Sequence, residues 1–177
     1  MNLTEVLKSQ LNLNEVVKSQ YLAALEMLKQ AVTQCPAEMW DDAAYENRFW
    51  HVAYHALFYV HLYLQPTEAD FVPWEKHKKA ASSLSTWGDK ETAVNTPYTP
   101  AEVLEYLALV QQVVLSIVDK LDMHGESGFS WLPFNKLELQ FYNIRHIQHH
   151  AGELYERLNT HEGTEVDWVG LWPDYLR

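Results

Sequence analysis

Apolar residues recur at the spacing of an α-helix along four long stretches of the chain. The first stretch has one apolar face with i, i+3 and i+4 spacing, formed by Leu13, Val16, Val17, Tyr21, Ala24, Leu25, Leu28 and Val32. Asn12 and Glu15 resemble a capping box at its start, and Pro36 predicts its end. The second stretch, residues 43–64, is apolar nearly all round, which is typical of a central, buried helix.

The third stretch has the clearest start signal in the sequence. Thr99 is a predicted N-cap, Pro100 takes the first helical position, and Glu102 follows the cap by three residues. Apolar residues at intervals of three and four then continue to about Leu121. A fourth helix is predicted over residues 135–158, with a core stripe of Leu137, Phe141, Ile144, Ile147, Ala151, Leu154 and Leu158.

The segments between these helices complete the predicted fold. Residues 65–98 are too long for a structureless loop in a compact domain, so we expect a crossover connection with a short helix at residues 75–84. An aromatic tail occupies residues 160–177. The sequence therefore predicts one all-α domain over residues 1–177, with its core at about 13–158. Its architecture is a four-helix bundle with a long crossover between the second and third helices.

Composition excludes several classes of function. The chain of 177 residues has 13 Lys and Arg against 24 Asp and Glu, a formal net charge of −11. Such a surface repels phosphate backbones and anionic lipids, so we expect neither a nucleic-acid nor a membrane partner. The apolar run at residues 49–64 contains three histidines and is shorter than the roughly 20 apolar residues that cross a bilayer. The start of the chain lacks the features of a signal peptide, and a cytoplasmic location is expected.

The single cysteine and the nine histidines differ in what they predict. Because Cys35 is the single cysteine, an internal disulfide framework is excluded, and we expect this residue to be a small buried hydrophobe.

The second helix holds His51 and His55, and the fourth holds His146 and His150. Residues four apart on a helix point the same way, so each pair shares one face. Of the others, His149 is turned away from that face, His61 is expected to be half-exposed at a helix end, and His77, His124 and His161 are expected to be solvated in loops.

Two imidazoles one turn apart and a third from a facing helix can hold a divalent ion. Three protein ligands leave one coordination position open, which is typical of catalytic metal sites. The third ligand is either His55 or His51, since both lie on one face. Ile147 and Gln148 exclude the His-Glu-x-x-His protease motif, and no Glu-x-x-His pair of the di-iron type occurs. Glu153, three residues after His150, could accept a hydrogen bond from a ligand N–H.

Two motifs resemble those of the DinB/YfiT-like superfamily of metal-dependent four-helix-bundle proteins. They are FWHVAYHALFY at residues 49–59 and RHIQHHAGEL at residues 145–154, the latter similar to a family ending H-x-x-H-H-x-G-[QE]-[LI]. The resemblance covers roughly residues 13–158. It implies a divalent metal, Zn or Ni, held by three histidines, of which His146 and His150 match the paired ligands.

The resemblance also implies a class of activity. Some members are similar to small-thiol S-transferases, in which a metal stabilises the thiolate of a low-molecular-weight thiol. The expected function is thus a metal-dependent transferase or hydrolase acting on a small molecule, and a homodimer is an expectation of the family. Arg145 would bind the carboxylate of the thiol, and Tyr54 or Glu153 would orient groups or shuttle protons. The alternative is a bundle that binds a hydrophobic ligand or a protein partner without turnover.

Overall fold

The structure, a computed structural model, describes residues 13–85, 96–160 and 164–172. Within these ranges it is mostly helical and contains no β-strand, which confirms the all-α class. The α-helices of the described residues are α1 (Leu13–Gln34), α2 (Ala37–Trp40), α3 (Phe49–Tyr63), α4 (Pro100–Ile117) and α5 (Lys136–Leu158). Short 3-10 turns occur at Glu68–Asp70, Lys79–Ser82 and Val118–Lys120. Asn12, a predicted cap of α1, lies outside the described residues.

The four long helices pack so that α1 and α3 each contact both α4 and α5. Helix α3 is buried along nearly its whole length, as its apolar sequence predicts. The core between the helices is rich in large aromatic side chains, including Tyr21, Phe49, Trp50, Tyr54 and Tyr106. This packing brings one face of α3 against α5, and the candidate ligands lie on that face.

The predicted helix starts at Thr99 and Asn135 are confirmed. The Thr99 hydroxyl accepts the backbone N–H of Glu102 at 3.2 Å, and the Glu102 carboxylate accepts the Thr99 N–H at 2.9 Å. At the start of α5, the Asn135 side chain accepts the N–H of Glu138 at 2.8 Å. Both caps satisfy backbone donors that have no partner inside the helix, so their position fixes where each helix begins.

Helix α3 begins at Phe49 and not at residue 43, so the predicted start is wrong by six residues. The preceding segment is held in turns by side chains. The Asp42 carboxylate accepts the Ala44 N–H at 2.9 Å, and the Arg48 guanidinium donates to the carbonyls of Asp42 and Tyr45. These side-chain bonds compete with helical backbone bonds, and hydrophobic spacing carries no signal of them.

The crossover contains a 3-10 turn at Lys79–Ser82 in place of the helix predicted over residues 75–84. Its path is set by aromatic anchors. The Tyr98 hydroxyl donates to the Lys76 carbonyl at 2.7 Å and accepts the Lys78 N–H at 2.9 Å, and the Trp74 ring stacks on Tyr106 of α4. Tertiary contacts therefore decide this segment, and they place its Lys79–Ser82 turn against α3.

Helix α5 buries most of the predicted core stripe: Ile147, Ala151, Leu154 and Leu158 are buried, and Leu137 and Ile144 pack against the core. One member of the stripe is an exception. Phe141, assigned to the core stripe, is 56% exposed, so that assignment is wrong. Its place is taken by polar residues: Gln140 accepts the Tyr21 hydroxyl at 2.9 Å, and Asn143 donates to the Val60 carbonyl at 3.5 Å. A stripe found by counting apolar residues misses buried amides, because their burial depends on partners from other helices.

The described part of the tail, residues 164–172, runs antiparallel to α1. Glutamine side chains of α1 bind its backbone: Gln34 pairs with Glu165, Gln30 accepts the N–H of Asp167, and Gln20 donates to the carbonyl of Gly170. Trp172 packs against the core, whereas Trp168 is exposed. The described part of the tail therefore lies along α1.

One helical segment, Pro100–Lys120, is long and apolar enough to cross a membrane by length and composition alone. The core helix of a soluble protein passes the same test, so this is weak evidence for a membrane span. In the structure, this segment buries Val103, Leu107, Val110 and Val114 against the other helices.

Candidate metal centre

Three histidines from two helices converge at the α3–α5 contact. The Nε2 atom of His146 lies 3.1 Å from Nε2 of His55 and 3.2 Å from Nε2 of His150. One ring nitrogen of each of the three residues lies within 4.8 Å of the others. Helical spacing places His146 and His150 on one face of α5, and the packing of α3 against α5 supplies His55.

The outer nitrogens of two of these rings fix their tautomers. His55 Nδ1 lies 2.7 Å from the Ser82 carbonyl oxygen, and His150 Nδ1 lies 3.2 Å from Glu153 Oε2. A carbonyl or an ionised carboxylate only accepts hydrogen bonds, so each Nδ1 must carry the proton. In the neutral rings the Nε2 atoms of His55 and His150 are therefore unprotonated, and their lone pairs face His146.

Two unprotonated nitrogens that both face His146 favour a cation between the three rings. Neutral His146 carries one proton, and a proton on its Nε2 can serve only one of the two facing lone pairs well. Its Nδ1 is buried and has no hydrogen-bond partner among the described residues. With bonds of about 2.0–2.1 Å, a tetrahedral ion holds its nitrogen ligands about 3.3 Å apart, close to the 3.1 and 3.2 Å found here. The three residues therefore fit a divalent metal ion.

A hydrogen-bond network positions these ligands from behind. Glu153 accepts from His150 and also pairs with Arg157, whose guanidinium donates to the Asn47 carbonyl at 2.8 Å. The Asn47 side chain exchanges two hydrogen bonds with the Ser85 backbone, at 2.8 and 3.1 Å. The crossover thus orients His55 directly through Ser82 and is tied to His150 through this chain of contacts. Such outer partners fix the orientation of metal ligands and raise their basicity.

Burial and neighbouring rings keep His55 and His146 neutral. Burial, and after it the neighbouring rings of His150 and His146, lowers the pKa of His55 to about 3. Burial, and then His150 and His149, lowers the pKa of His146 to about 4. The pKa of Glu153 is lowered by its hydrogen bond with His150 and by Arg157, so it stays ionised beside the cluster. Neutral imidazoles and an ionised acceptor are the forms that metal binding requires.

His51, the other candidate for the third ligand, is not part of this cluster. It is buried one turn before His55, stacks on Trp50 with ring centroids 5.0 Å apart, and leaves its Nε2 without a hydrogen-bond partner among the described residues. Burial lowers its pKa. The structure therefore joins His55, and not His51, to the α5 pair.

A second group of ligand atoms, from His149, His150 and Glu153, is less suited to a metal. His149 is exposed on the outer side of α5, as its position in the helix predicts. Glu153 already accepts from His150 and Arg157, so its carboxylate is occupied. Among the described residues, the group of His55, His146 and His150 instead brings together ring nitrogens from two helices and leaves one buried nitrogen, His146 Nδ1, without a partner.

Of the other residues singled out in the sequence, only some lie next to the histidine cluster. Tyr54 is fully buried away from the cluster, where its hydroxyl lies 2.6 Å from His77 Nδ1 and burial raises its pKa. Glu153 is in direct contact with a ligand, and Arg145 is exposed beside His146 in a groove of α5. Cys35 is half-buried, and burial raises the pKa of its thiol to about 12, which does not favour a reactive thiolate.

Tyr59 is a site residue that the sequence reasoning missed. Its ring meets those of His55 and His146 edge-on, with centroids 4.8 and 5.3 Å away. It is partly exposed and continues into an aromatic row through Tyr63 and Tyr142. Its position four residues after His55 is the signal that could have found it, because that spacing places both on one helix face.

The histidines that were expected to be partly or fully exposed differ in their observed burial. His61 is buried and lies 3.2 Å from the Tyr106 hydroxyl, so the expected half-exposed position is wrong. His77 is partly buried against Tyr54 and Phe58, because the crossover folds back over α3. His124 is exposed, as predicted, and His161 lies outside the described residues.

The burial of His61 predicts a pH-dependent contribution to stability. Burial lowers its folded-state pKa from 6.5 to about 4. Between these two pKa values the unfolded chain binds a proton that the folded chain does not. The contribution of neutral His61 to the free energy of unfolding is therefore fully present above pH 6.5 and is lost as the pH falls towards about 4. At about 1.4 kcal/mol per pKa unit, the loss approaches about 3 kcal/mol.

Urea unfolding of the wild type and of His61→Gln at neutral pH and near pH 4 measures this contribution. The glutamine does not titrate, so we expect the variant to lose less stability than the wild type over the same interval. An identical loss in both proteins would contradict the assignment to His61.

A comparison with protein-family models, curated proteins and solved structures finds no match for this chain. Its function is therefore inferred from the geometry of its own residues.

Proposed function

We propose that the protein is a metal-dependent enzyme whose divalent ion is held by His55, His146 and His150. The observation that carries the proposal is the convergence of three Nε2 atoms, two of which have their protons fixed on the outer nitrogen by Ser82 and Glu153. Zn²⁺ or Ni²⁺ suits an all-imidazole set. The proposed fold is a DinB/YfiT-like four-helix bundle, in keeping with the packing of the long helices and the two sequence motifs.

The proposed chemistry follows from the number of ligands. A divalent ion with three protein ligands has room for a water or a thiol and lowers its pKa. The chain supplies the rest: Ser82 and Glu153 hold two imidazoles in the ligating tautomer, and Tyr59 forms an aromatic wall beside them. The proposed activity is transfer of a small thiol to an electrophile, or hydrolysis of a small molecule.

The first test is the stoichiometry of metal binding. We expect the purified protein to bind one Zn²⁺, Ni²⁺ or Co²⁺ ion per chain, with a Co²⁺ absorption spectrum typical of nitrogen ligands. His149→Ala is the matched control, because His149 adjoins His150 but is exposed outside the cluster, and it should bind equally well. Absence of bound metal in the wild type, or loss of binding in His149→Ala, would contradict the proposed ligand set.

The second test separates an enzyme from a binding protein. The metal-loaded protein is assayed with model electrophiles in the presence of several low-molecular-weight thiols, and with small ester and amide substrates. Turnover that disappears on chelation and returns on metal addition supports the enzyme. Metal binding without such turnover would favour the non-catalytic alternative.

A further inference from the structure

A groove on the outer side of α5 opens next to the histidine cluster. Its lining is Tyr142, Arg145, His146, Gln148 and His149, and we call it the α5 groove. Its volume of about 460 Å³ lies within the usual range for small-molecule sites. His146 belongs both to this groove and to the cluster, so a molecule in the groove lies beside the proposed metal centre.

Arg145 gives the α5 groove an uncompensated positive charge. The residue is exposed and forms no ion pair or hydrogen bond with any other residue that the structure describes. By contrast, Arg48 and Arg157 both bind carboxylates or carbonyls nearby. In a chain of net charge −11, a free guanidinium beside a site favours an anionic ligand, and its planar fork matches a carboxylate.

The other end of the α5 groove is aromatic and held in place. Tyr142 is 37% exposed, and its ring packs against Tyr63 and Phe134 with centroids 6.0 and 5.6 Å away. Arg145 follows Tyr142 by three residues, so the two side chains lie on one side of α5 about one turn apart. A fixed ring offers a flat face for stacking, and the free cation lies next to it.

We propose that the α5 groove binds a small aromatic carboxylate, with its acid group on Arg145 and its ring against Tyr142. The role of this ligand as a substrate rests on the proposed function, since only the neighbouring centre would act on it. Binding itself needs only the groove. A neutral aromatic would leave Arg145 unpaired, and an inorganic anion would leave the face of Tyr142 unused.

The test uses benzoate as the probe and NMR titration of the metal-free protein as the measurement. We expect saturable binding, and we expect Arg145→Gln to weaken it by about ten- to hundredfold, the usual effect of losing a charge-assisted hydrogen bond. Lys120→Gln, at an exposed site after α4, removes the same charge and should leave binding unchanged. Tyr142→Leu should also weaken binding, and benzyl alcohol should bind at least about tenfold more weakly than benzoate.

Absence of benzoate binding to the metal-free wild type overturns the proposal. Equal affinity in Arg145→Gln, or equal affinity for benzyl alcohol, also overturns it. Zn²⁺ affinity is measured separately and should be unchanged in Arg145→Gln, since Arg145 is outside the ligand set. Arg145-dependent benzoate binding in a protein that takes up no metal would support the groove and reject the proposed function. Metal binding without benzoate binding would reject the proposed ligand of the groove and leave the proposed metal centre standing.

Discussion

Replacing His55 with alanine is expected to lower the affinity for Zn²⁺ by more than about a hundredfold. Losing even an outer partner of a metal ligand typically costs 10- to 100-fold, and this change removes a ligand itself. His55 is the only contribution of α3 to the convergent cluster, and its Nε2 lies 3.1 Å from that of His146. Competition titration against a chromophoric chelator measures the loss, and the double variant His146→Ala/His150→Ala should bind no metal at this site.

The matched comparison is His51→Gln, one turn earlier on the same helix. His51 is buried outside the cluster, and glutamine keeps a polar side chain of similar reach there. We expect Zn²⁺ affinity within a few-fold of the wild type, although stability will fall. A larger loss of affinity in His51→Gln than in His55→Ala would show that the metal is held one turn away from the position inferred here.

The sequence predicted the α5 half of the centre but left the α3 half open. His146 and His150 follow from spacing along one helix, which is local information. The choice between His51 and His55 depends on how far α3 is displaced along its axis relative to α5, and on where the crossover places the Ser82 carbonyl. Both are consequences of tertiary packing. Glu153 could be proposed from its spacing to His150. Its pair with Arg157 lies four residues along the same helix and carried the same kind of local signal, but it was not anticipated.

The fold shows the same division between local and tertiary information. The caps at Thr99 and Asn135 were predictable because all their hydrogen bonds lie within four residues. The position of Phe141 was not, because Gln140 is buried by a hydrogen bond to Tyr21, a residue more than a hundred positions away. The helix predicted over residues 75–84 is reduced to a 3-10 turn at Lys79–Ser82, in a segment whose aromatic anchor Trp74 packs on α3 and α4.

The second large effect concerns the loop before α5. Gly128 has φ of +84°, and an added Cβ would lie 2.0 Å from the Pro66 carbonyl oxygen and 3.0 Å from the Thr67 Cα. Both obstacles are backbone, and the Lys136 ammonium holds the Pro66 carbonyl in place at 2.9 Å. Gly128→Ala is therefore expected to destabilise the protein by about 3 kcal/mol or more, through left-handed strain and displacement of the crossover.

The same substitution at Gly152 is the control, and it should act in the opposite direction. An added Cβ there meets nothing within 4 Å, and the residue lies inside α5. Alanine is favoured over glycine in a helix interior, so Gly152→Ala should stabilise the protein by about 0.5–1 kcal/mol. Urea unfolding of the metal-free proteins measures both changes without a contribution from bound ions. Equal stability of the two variants would show that the loop can move away from Pro66, and that the crossover is not fixed at this point.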